Sequence, residues 1–386
     1  MTRLTIAAFI AAVILYFVSL YVYIPILPAF VAGRTSTLAA VGIVLAMYGL
    51  CTAILRMPMG IAADATGRSR PFIVLGALMA GAGAVVIVAG RSLGTLALGR
   101  AFTGVAAAAW VPMMAVFAGY FAPRQAIFAT SLLSLASSLG QMIGTGSTGL
   151  VESLGGYGLT FVVAAGFSIL ASLIFLIVKI PRSAERRTEP LSGRSILAVA
   201  RRRDVIVPSL TNALCQFGVW ALTFGFMPLL ATRMGAGAGA TGLIMTLNIA
   251  ANTAANLFAT LIANRGHRRL LLYLSFAVFA GGAMLAAFGA TLGFLFVSTV
   301  LMGLANGLFF PILLGLSIQR VDTAHRSTAM GIHQAVYAVG MFTGPWVGGI
   351  VADAVGIRAM FAIVAAFSFV GPGSLFLLYR DPPVEG

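Results

Sequence analysis

The sequence predicts an all-α membrane protein: twelve transmembrane helices arranged as two pseudo-symmetric six-helix bundles. Three observations carry this expectation. First, 60% of the 386 residues are hydrophobic and only 9% are charged, with a mean hydropathy of +1.04. Soluble domains carry about 25% charge, and one domain core cannot hide so much apolar surface from water. A soluble enzyme, a disordered chain and a nucleic-acid binder are excluded on that ground. Second, the apolar residues fall into twelve long runs. Third, the two halves of the chain repeat each other at an offset near 200 residues.

A spanning helix needs about 20 mainly apolar residues. Reading between charges and turn signals places spans at 5–31, 37–63, 71–90, 94–121, 126–150 and 159–180 in the first half. The second half gives 205–231, 239–264, 270–290, 292–318, 327–352 and 358–379. The first run is too long for a signal-peptide core and lacks a small-residue cleavage site, so it is kept as a span. Residues 1–180 and 205–386 form the two bundles, joined by a polar loop at 181–204. That loop holds Pro181, Pro190 and the run Arg201-Arg202-Arg203. It reads as a solvated linker, or as a short surface helix over Ser195–Arg203 whose arginines lean on anionic lipid.

Of the 24 basic residues, eighteen fall on the side of the termini, four on the opposite side and two, Arg56 and Arg100, inside spans. Such a bias places both termini in the cytoplasm. The net charge of +15 comes from a shortage of acids, of which there are nine. It therefore reads as topology, with no nucleic-acid partner implied. Cys51 and Cys215 lie in apolar runs, so neither a disulfide framework nor a thiolate metal site is expected.

The internal repeat rests on several anchors. Pro28 matches Pro228. Gly67 matches Gly266. Gly140, Gly144 and Gly149 match Gly340, Gly344 and Gly349, and Gly104 pairs with Gly307. Two six-helix halves related by a repeat are the plan of a secondary transporter, with its substrate site between the halves near mid-membrane.

Motifs narrow this further. The loop after the second span reads Gly60-Ile61-Ala62-Ala63-Asp64-Ala65-Thr66-Gly67-Arg68-Ser69-Arg70. Span four carries Arg100-Ala101-Phe102-Thr103-Gly104. Span five carries Gly140-x-x-x-Gly144-Thr145-x-x-x-Gly149, its second copy has Gly344-Pro345, and span one ends Ile24-Pro25-Ile26-Leu27-Pro28. These resemble the signature loop, the fourth-helix motif and the antiporter motif of the major facilitator superfamily, nearest its twelve-helix drug–proton antiporter branch. There are departures: Ala65 stands where a basic residue is usual, Thr103 where a glutamine is usual, and Thr145 where a proline is usual. The resemblance implies that Gly60, Asp64, Gly67, Arg68 and Arg70 form a gating loop that latches the cytoplasmic side. It also implies a prokaryotic inner membrane and a role for Arg100 in coupling or binding.

The residues themselves support a polar centre. Asp64, at a helix end, can pair with Arg68 or Arg70, or face the start of span eleven at Ser327-Thr328. Arg100 lies about six residues inside its span, where an unpaired cation costs several kcal/mol. No acid stands at similar depth, so it must meet water, a carbonyl or an anionic ligand, or else snorkel outward. Arg56 and His333 are further coupling candidates. His333 is the sole intramembrane histidine and of a type that titrates near neutrality. Asn212, Gln216 and Trp220 share one helical face, with Tyr16 and Tyr23 on the matching span. Thr103, Asn252 and Asn306 complete the substrate-binding candidates. Gly140, Gly144, Gly340, Gly344 and Pro345 read as helix-packing positions.

The expectation is thus a non-enzymatic, monomeric transporter of a small molecule, working by alternating access. Proton-coupled efflux of an amphipathic, drug-like compound comes first, and uptake or facilitated passage of a sugar or organic anion second. A non-transporting membrane enzyme or receptor is the remote alternative. The chain lacks a phosphate-cradling Gly-x-x-x-x-Gly-Lys loop, which argues against direct ATP drive. No cofactor or metal is expected beyond a coupling proton.

Overall fold

The computed structural model describes residues 3–122, 125–181, 193–262, 268–322 and 325–379. Among the described residues, eleven helices are long and apolar enough to cross a membrane, with mean hydropathy between 1.2 and 2.5. One of these, Phe128–Ile177, holds two spans, because the backbone leaves the helix at Gly155 (φ −163°, ψ 23°) and Gly156 (φ 69°, ψ −172°). Gly156 sits in the left-handed region, where a glycine bears no Cβ penalty. The described residues therefore hold twelve spans.

In chain order the spans are α1 (Arg3–Tyr21, resumed by Leu27–Ala32), α2 (Leu38–Thr66), α3 (Ser69–Ala89) and α4 (Leu93–Ala108, resumed by Trp110–Ala118). Two arms of one long helix follow: α5 (126–154) and α6 (157–177). The second half holds α7 (Arg203–Ala221, then a π-turn Leu222–Phe226 and Met227–Arg233), α8 (Ala238–Ile262), α9 (Arg268–Phe288), α10 (Leu292–Gln319), α11 (Arg326–Val355) and α12 (Ile357–Phe376).

The repeat is visible in the backbone. Both leading helices of the halves break just before their paired prolines. Residues 22–26 leave the α-helix ahead of Pro28, and Leu222–Phe226 widen into a π-turn ahead of Pro228. A helical proline lacks its own N–H and its ring clashes with the carbonyl four residues back, so identical chemistry yields a break at the same point in each copy.

Small residues set the helix spacing. A Cβ added at Gly140 would stand 2.6 Å from the Ile14 carbonyl oxygen on α1, and one at Gly144 would stand 3.1 Å from that of Val18. In the second copy Gly340 and Gly344 press on the Ala213 and Phe217 carbonyls of α7 in the same way. Without water to expel, membrane helices gain from such close backbone approach through dispersion.

The halves meet along two seams, α2 with α11 and α5 with α8. These too are copies. Gly42 packs on the Pro345 carbonyl and Gly242 on the Thr145 carbonyl, 200 residues apart in both members. Both contacts lie toward the face opposite the termini, here the distal face. Across α5 and α8, Thr145 Oγ1 and Thr246 Oγ1 are hydrogen-bonded at 2.7 Å.

Of the linking segment, residues 182–192 lie outside the described residues, as does Gly266, the second-copy match of Gly67. A short helix does form, over Gly193–Ala200 rather than Ser195–Arg203, because Arg203 already opens α7. Val199 packs with Val205, Val321, Ala329 and Ile332 under the second half, and Met57 of α2 joins this cluster. The Arg202–Asp204 pair at 2.8 Å is the one ion pair among the described residues.

Candidate functional site

Arg100 occupies the second turn of α4. It is 4% exposed, an unusual placement for a cation in a membrane interior. Its Nη1 donates to Thr103 Oγ1 at 3.3 Å, and its guanidinium carbon stands 4.5 Å from the centre of the Tyr48 ring. Its Nε is buried without a partner. Arg100 forms no ion pair with any described residue. A hydroxyl and an aromatic face are the neutral groups that hold this charge.

Aromatic rings from the other half close over it. Tyr48 on α2 stacks on Trp220 of α7 at 5.0 Å with planes 20° apart, and Trp220 meets Phe224 at 4.9 Å. Tyr21 approaches Phe224 edge-on at 6.5 Å. Leu20, Tyr21, Ile24, Tyr48, Arg100, Trp220 and Phe224 surround a cavity with room for about one water molecule. The site lies between the halves and is closed upon itself in this conformation.

Arg56 lies eight residues beyond Tyr48 on α2, about 12 Å further toward the terminus face. It is half-buried, and its Nη1 donates to the Tyr337 hydroxyl of α11, across the seam. Its Nε, like that of Arg100, is buried and unpartnered. Two cations thus stand along the central axis between the halves. An unpaired buried polar atom costs about 1–3 kcal/mol, and both Nε atoms and the Tyr23 hydroxyl are of this kind.

A second polar cluster sits between α7 and α11. His333 is fully buried; its Nε2 lies 2.9 Å from Asn212 Nδ2 and its Nδ1 3.0 Å from Ser209 Oγ, which donates to the Val205 carbonyl. With the Asn212 amide donating, a neutral ring protonated on Nδ1 satisfies every one of these contacts. The amide and tautomer follow from that network.

The remaining predicted residues divide. Trp220 and Thr103 belong to the central cluster. Gln216 Nε2 donates to Asn306 Oδ1 at 3.1 Å, tying α7 to α10. Asn252 is half-buried, and its carbonyl receives Gly307 of α10. Tyr23 is buried, stacked on Phe161 of α6 at 4.8 Å. Tyr16 is buried, and its hydroxyl donates to the Ala106 carbonyl at 2.6 Å, tying α1 to α4.

In the signature loop, Gly67 ends α2 with φ 63°, a left-handed cap that favours glycine. Gly60 packs on Val111 of α4. Asp64 and Arg68 are exposed. Among the described residues Asp64 forms an ion pair with neither Arg68 nor Arg70, the two partners expected for it; Arg70 Nη2 reaches across to the Val178 carbonyl at 2.8 Å, at the end of α6. Sequence reasoning passed over Tyr48, Tyr21 and Phe224. The repeat held a signal for the first. Tyr48, Thr52 and Arg56 stand 200 residues before Asn248, Asn252 and Asn256, on one four-residue stripe.

Comparison with known proteins agrees with this architecture. An uncharacterised MFS-type transporter of Methanocaldococcus jannaschii, MJ1560, is 21% identical over 362 residues, covering 90% of each chain. Among solved structures, the nucleoside transporter NupG superposes with a TM-score of 0.82 at 13% identity, covering 99% of this chain and 100% of that one. The human organic anion transporter MFSD10 gives 0.71 at 16%, covering 98% and 99%. A bacterial homolog of the human lysosomal transporter Spinster, in an inward-facing and occupied conformation, gives 0.80 at 14%, covering 97% and 95%. The family model described as the Major Facilitator Superfamily matches residues 9–240 and 209–386, so the chain belongs to that superfamily of membrane transporters.

Proposed function

We propose that this transporter carries a small organic anion with an aromatic or otherwise flat apolar body, through a site organised by Arg100. The observation that carries the reading is a buried guanidinium with no ion pair among the described residues, hydrogen-bonded to Thr103 and set against the Tyr48 ring, with its Nε unpartnered. A carboxylate or phosphate supplies the missing acceptor in the geometry a guanidinium favours. The Tyr48–Trp220–Phe224 stack offers flat apolar surface beside it. Arg56 gives the anion a second cation on the way to the terminus face.

This reading narrows the drug-like cargo expected from the sequence. A cationic compound calls for an intramembrane acid. The described acids stand at helix ends or in loops: Asp64, Glu152, Asp204, Asp322 and Asp353. Proton-coupled export remains the direction we propose, supported by the Pro25–Pro28 ending of α1 and the glycine seam of α5 that resemble efflux members. The likeness to an organic anion transporter supports the fold and accords with the cargo class.

The test is a thermal-shift series on purified protein with matched ligands of one ring skeleton: carboxylate, amide and amine. A ligand that binds only the folded state raises the melting temperature. The carboxylate is expected to stabilise and the amine to leave the melt unchanged. Stabilisation by the amine alone overturns the reading.

A further inference from the structure

We propose that Asp353, near the end of α11, is the distal-face latch of the transport cycle. In this structure its Oδ1 accepts from the Leu38 amide at 2.6 Å and its Oδ2 from the Ala39 amide at 2.8 Å. These are the first two N–H groups of α2, in the other half of the molecule. An α-helix leaves its first four amides without internal partners. Thr37, the N-cap, takes the Ala40 amide with its side chain at 3.1 Å, and the Val41 amide makes the helix's first internal bond to the Thr37 carbonyl. The Leu38 and Ala39 amides depend on Asp353, and so on the halves being together.

The surroundings fit a latch. Directly below it, a Cβ added at Gly349 would stand 2.6 Å from the Leu38 carbonyl oxygen, so the backbones of α2 and α11 touch where the carboxylate grips. A negative charge at a helix N-terminus is favoured by the aligned peptide dipoles as well as by the two hydrogen bonds. Two distal-face cations are engaged elsewhere: Arg358 donates to the Ala287 and Gly289 carbonyls, and Arg34 lies over the Phe30 ring. Among the described residues the other seam shows no such hydrogen bond from a carboxylate to a helix start. The residue 200 positions earlier on α5 is Ser153, whose hydroxyl turns back to the Leu150 carbonyl.

The α2–α11 pair therefore has an acid at each end. Asp64 stands two residues before the end of α2 at the terminus face, and Asp353 two residues before the end of α11 at the distal face. Asp353 sits beside the starting turn of its partner helix. In this conformation both carboxylates reach solvent, and of the two only Asp353 is hydrogen-bonded across the seam among the described residues. Opening the distal face separates α11 from the start of α2, and both Asp353 bonds must exchange for water. The inference rests on the two-half architecture and is independent of the cargo.

The test uses the full-length protein in nanodiscs, with Cys51 and Cys215 replaced and spin labels at two exposed distal loops, Arg91 in the first half and Ala290 in the second. Double electron–electron resonance reads the distance between them. Asp353→Ala is expected to raise the long-distance, distally open population by about five- to thirty-fold, the factor set by losing a carboxylate at a helix start. Asp353→Asn, which keeps one acceptor and loses the charge, is expected to fall between. Thr37→Ala removes a cap from the same helix without uncoupling the halves, and is expected to lower the melting temperature while leaving the distances in place. A distance distribution in Asp353→Ala identical to wild type overturns the proposal, as does an equal shift in Thr37→Ala.

Discussion

Arg100→Met is the substitution that separates a functional arginine from a structural one. Methionine keeps the length and apolar stem and removes the charge. On the binding side, the loss is a charge-assisted hydrogen bond to the cargo, worth about 1.5–3 kcal/mol. At 1.36 kcal/mol per factor of ten, affinity for an anionic ligand falls by about ten- to 150-fold. On the stability side, the sign differs from that of an ordinary core substitution. Arg100 is buried without a counter-ion among the described residues. What holds it is one hydrogen bond at 3.3 Å and one ring contact at 4.5 Å, together worth a few kcal/mol. The cost of keeping a guanidinium out of water is of the same size. The melting temperature is therefore expected to hold or rise. The assay pairs a melting curve with titration by tryptophan fluorescence, in which Trp220, at van der Waals range of the site, reports occupancy. A melt lowered by many degrees with affinity unchanged refutes the reasoning, since Arg100 would then be a packing residue.

Three further outcomes follow from the same structure. Gly140→Val drives a side chain into the Ile14 carbonyl on α1, 2.6 Å from the Cβ position, and is expected to destabilise by about 1–3 kcal/mol, read as a lower melting temperature; an unchanged melt contradicts the packing. Tyr337→Phe removes the hydroxyl that receives Arg56 across the seam and is expected to cost about 1 kcal/mol or more, with faster transport if the bond must break in each cycle; flux and stability both equal to wild type contradict the contact. His333→Gln disrupts a network in which both ring nitrogens are engaged, so stability is expected to fall by about 1–3 kcal/mol while the pH profile of transport keeps its shape. A displaced profile makes His333 a proton carrier.

The fold was largely legible because the bilayer makes one demand of every segment, a run of about 20 apolar residues, and because prolines and glycines mark the breaks. Pro28 and Pro228 stand at the resumption of both leading helices. The end of α5 was less legible. Charges and turn signals suggested 150, whereas the helix runs to 154 and only Gly155 and Gly156 reverse it. The rotation of each helix was the weakest inference. In α1 nearly every residue is apolar, so the pattern does not single out a face toward the centre. The sequence does not single out Tyr21, which lines the central cavity, from Tyr16, whose hydroxyl is taken by the Ala106 carbonyl. Tyr48 hid for the same reason, although the repeat aligned it with the asparagine stripe of α8. Asp353 looked like any span-end acid, because its partners are backbone amides, which every sequence contains.

The central claim is that two six-helix halves move a negatively charged cargo past Arg100. Counterflow tests it most directly. Purified protein is placed in liposomes preloaded with an unlabelled aromatic carboxylate, and uptake of the same labelled carboxylate is followed in wild type and Arg100→Met. The account predicts transient accumulation in wild-type vesicles, competition by other carboxylates but not by the matching amine, and loss of the signal in Arg100→Met. Accumulation undiminished in Arg100→Met, or a signal driven by the amine and blind to the carboxylate, contradicts it.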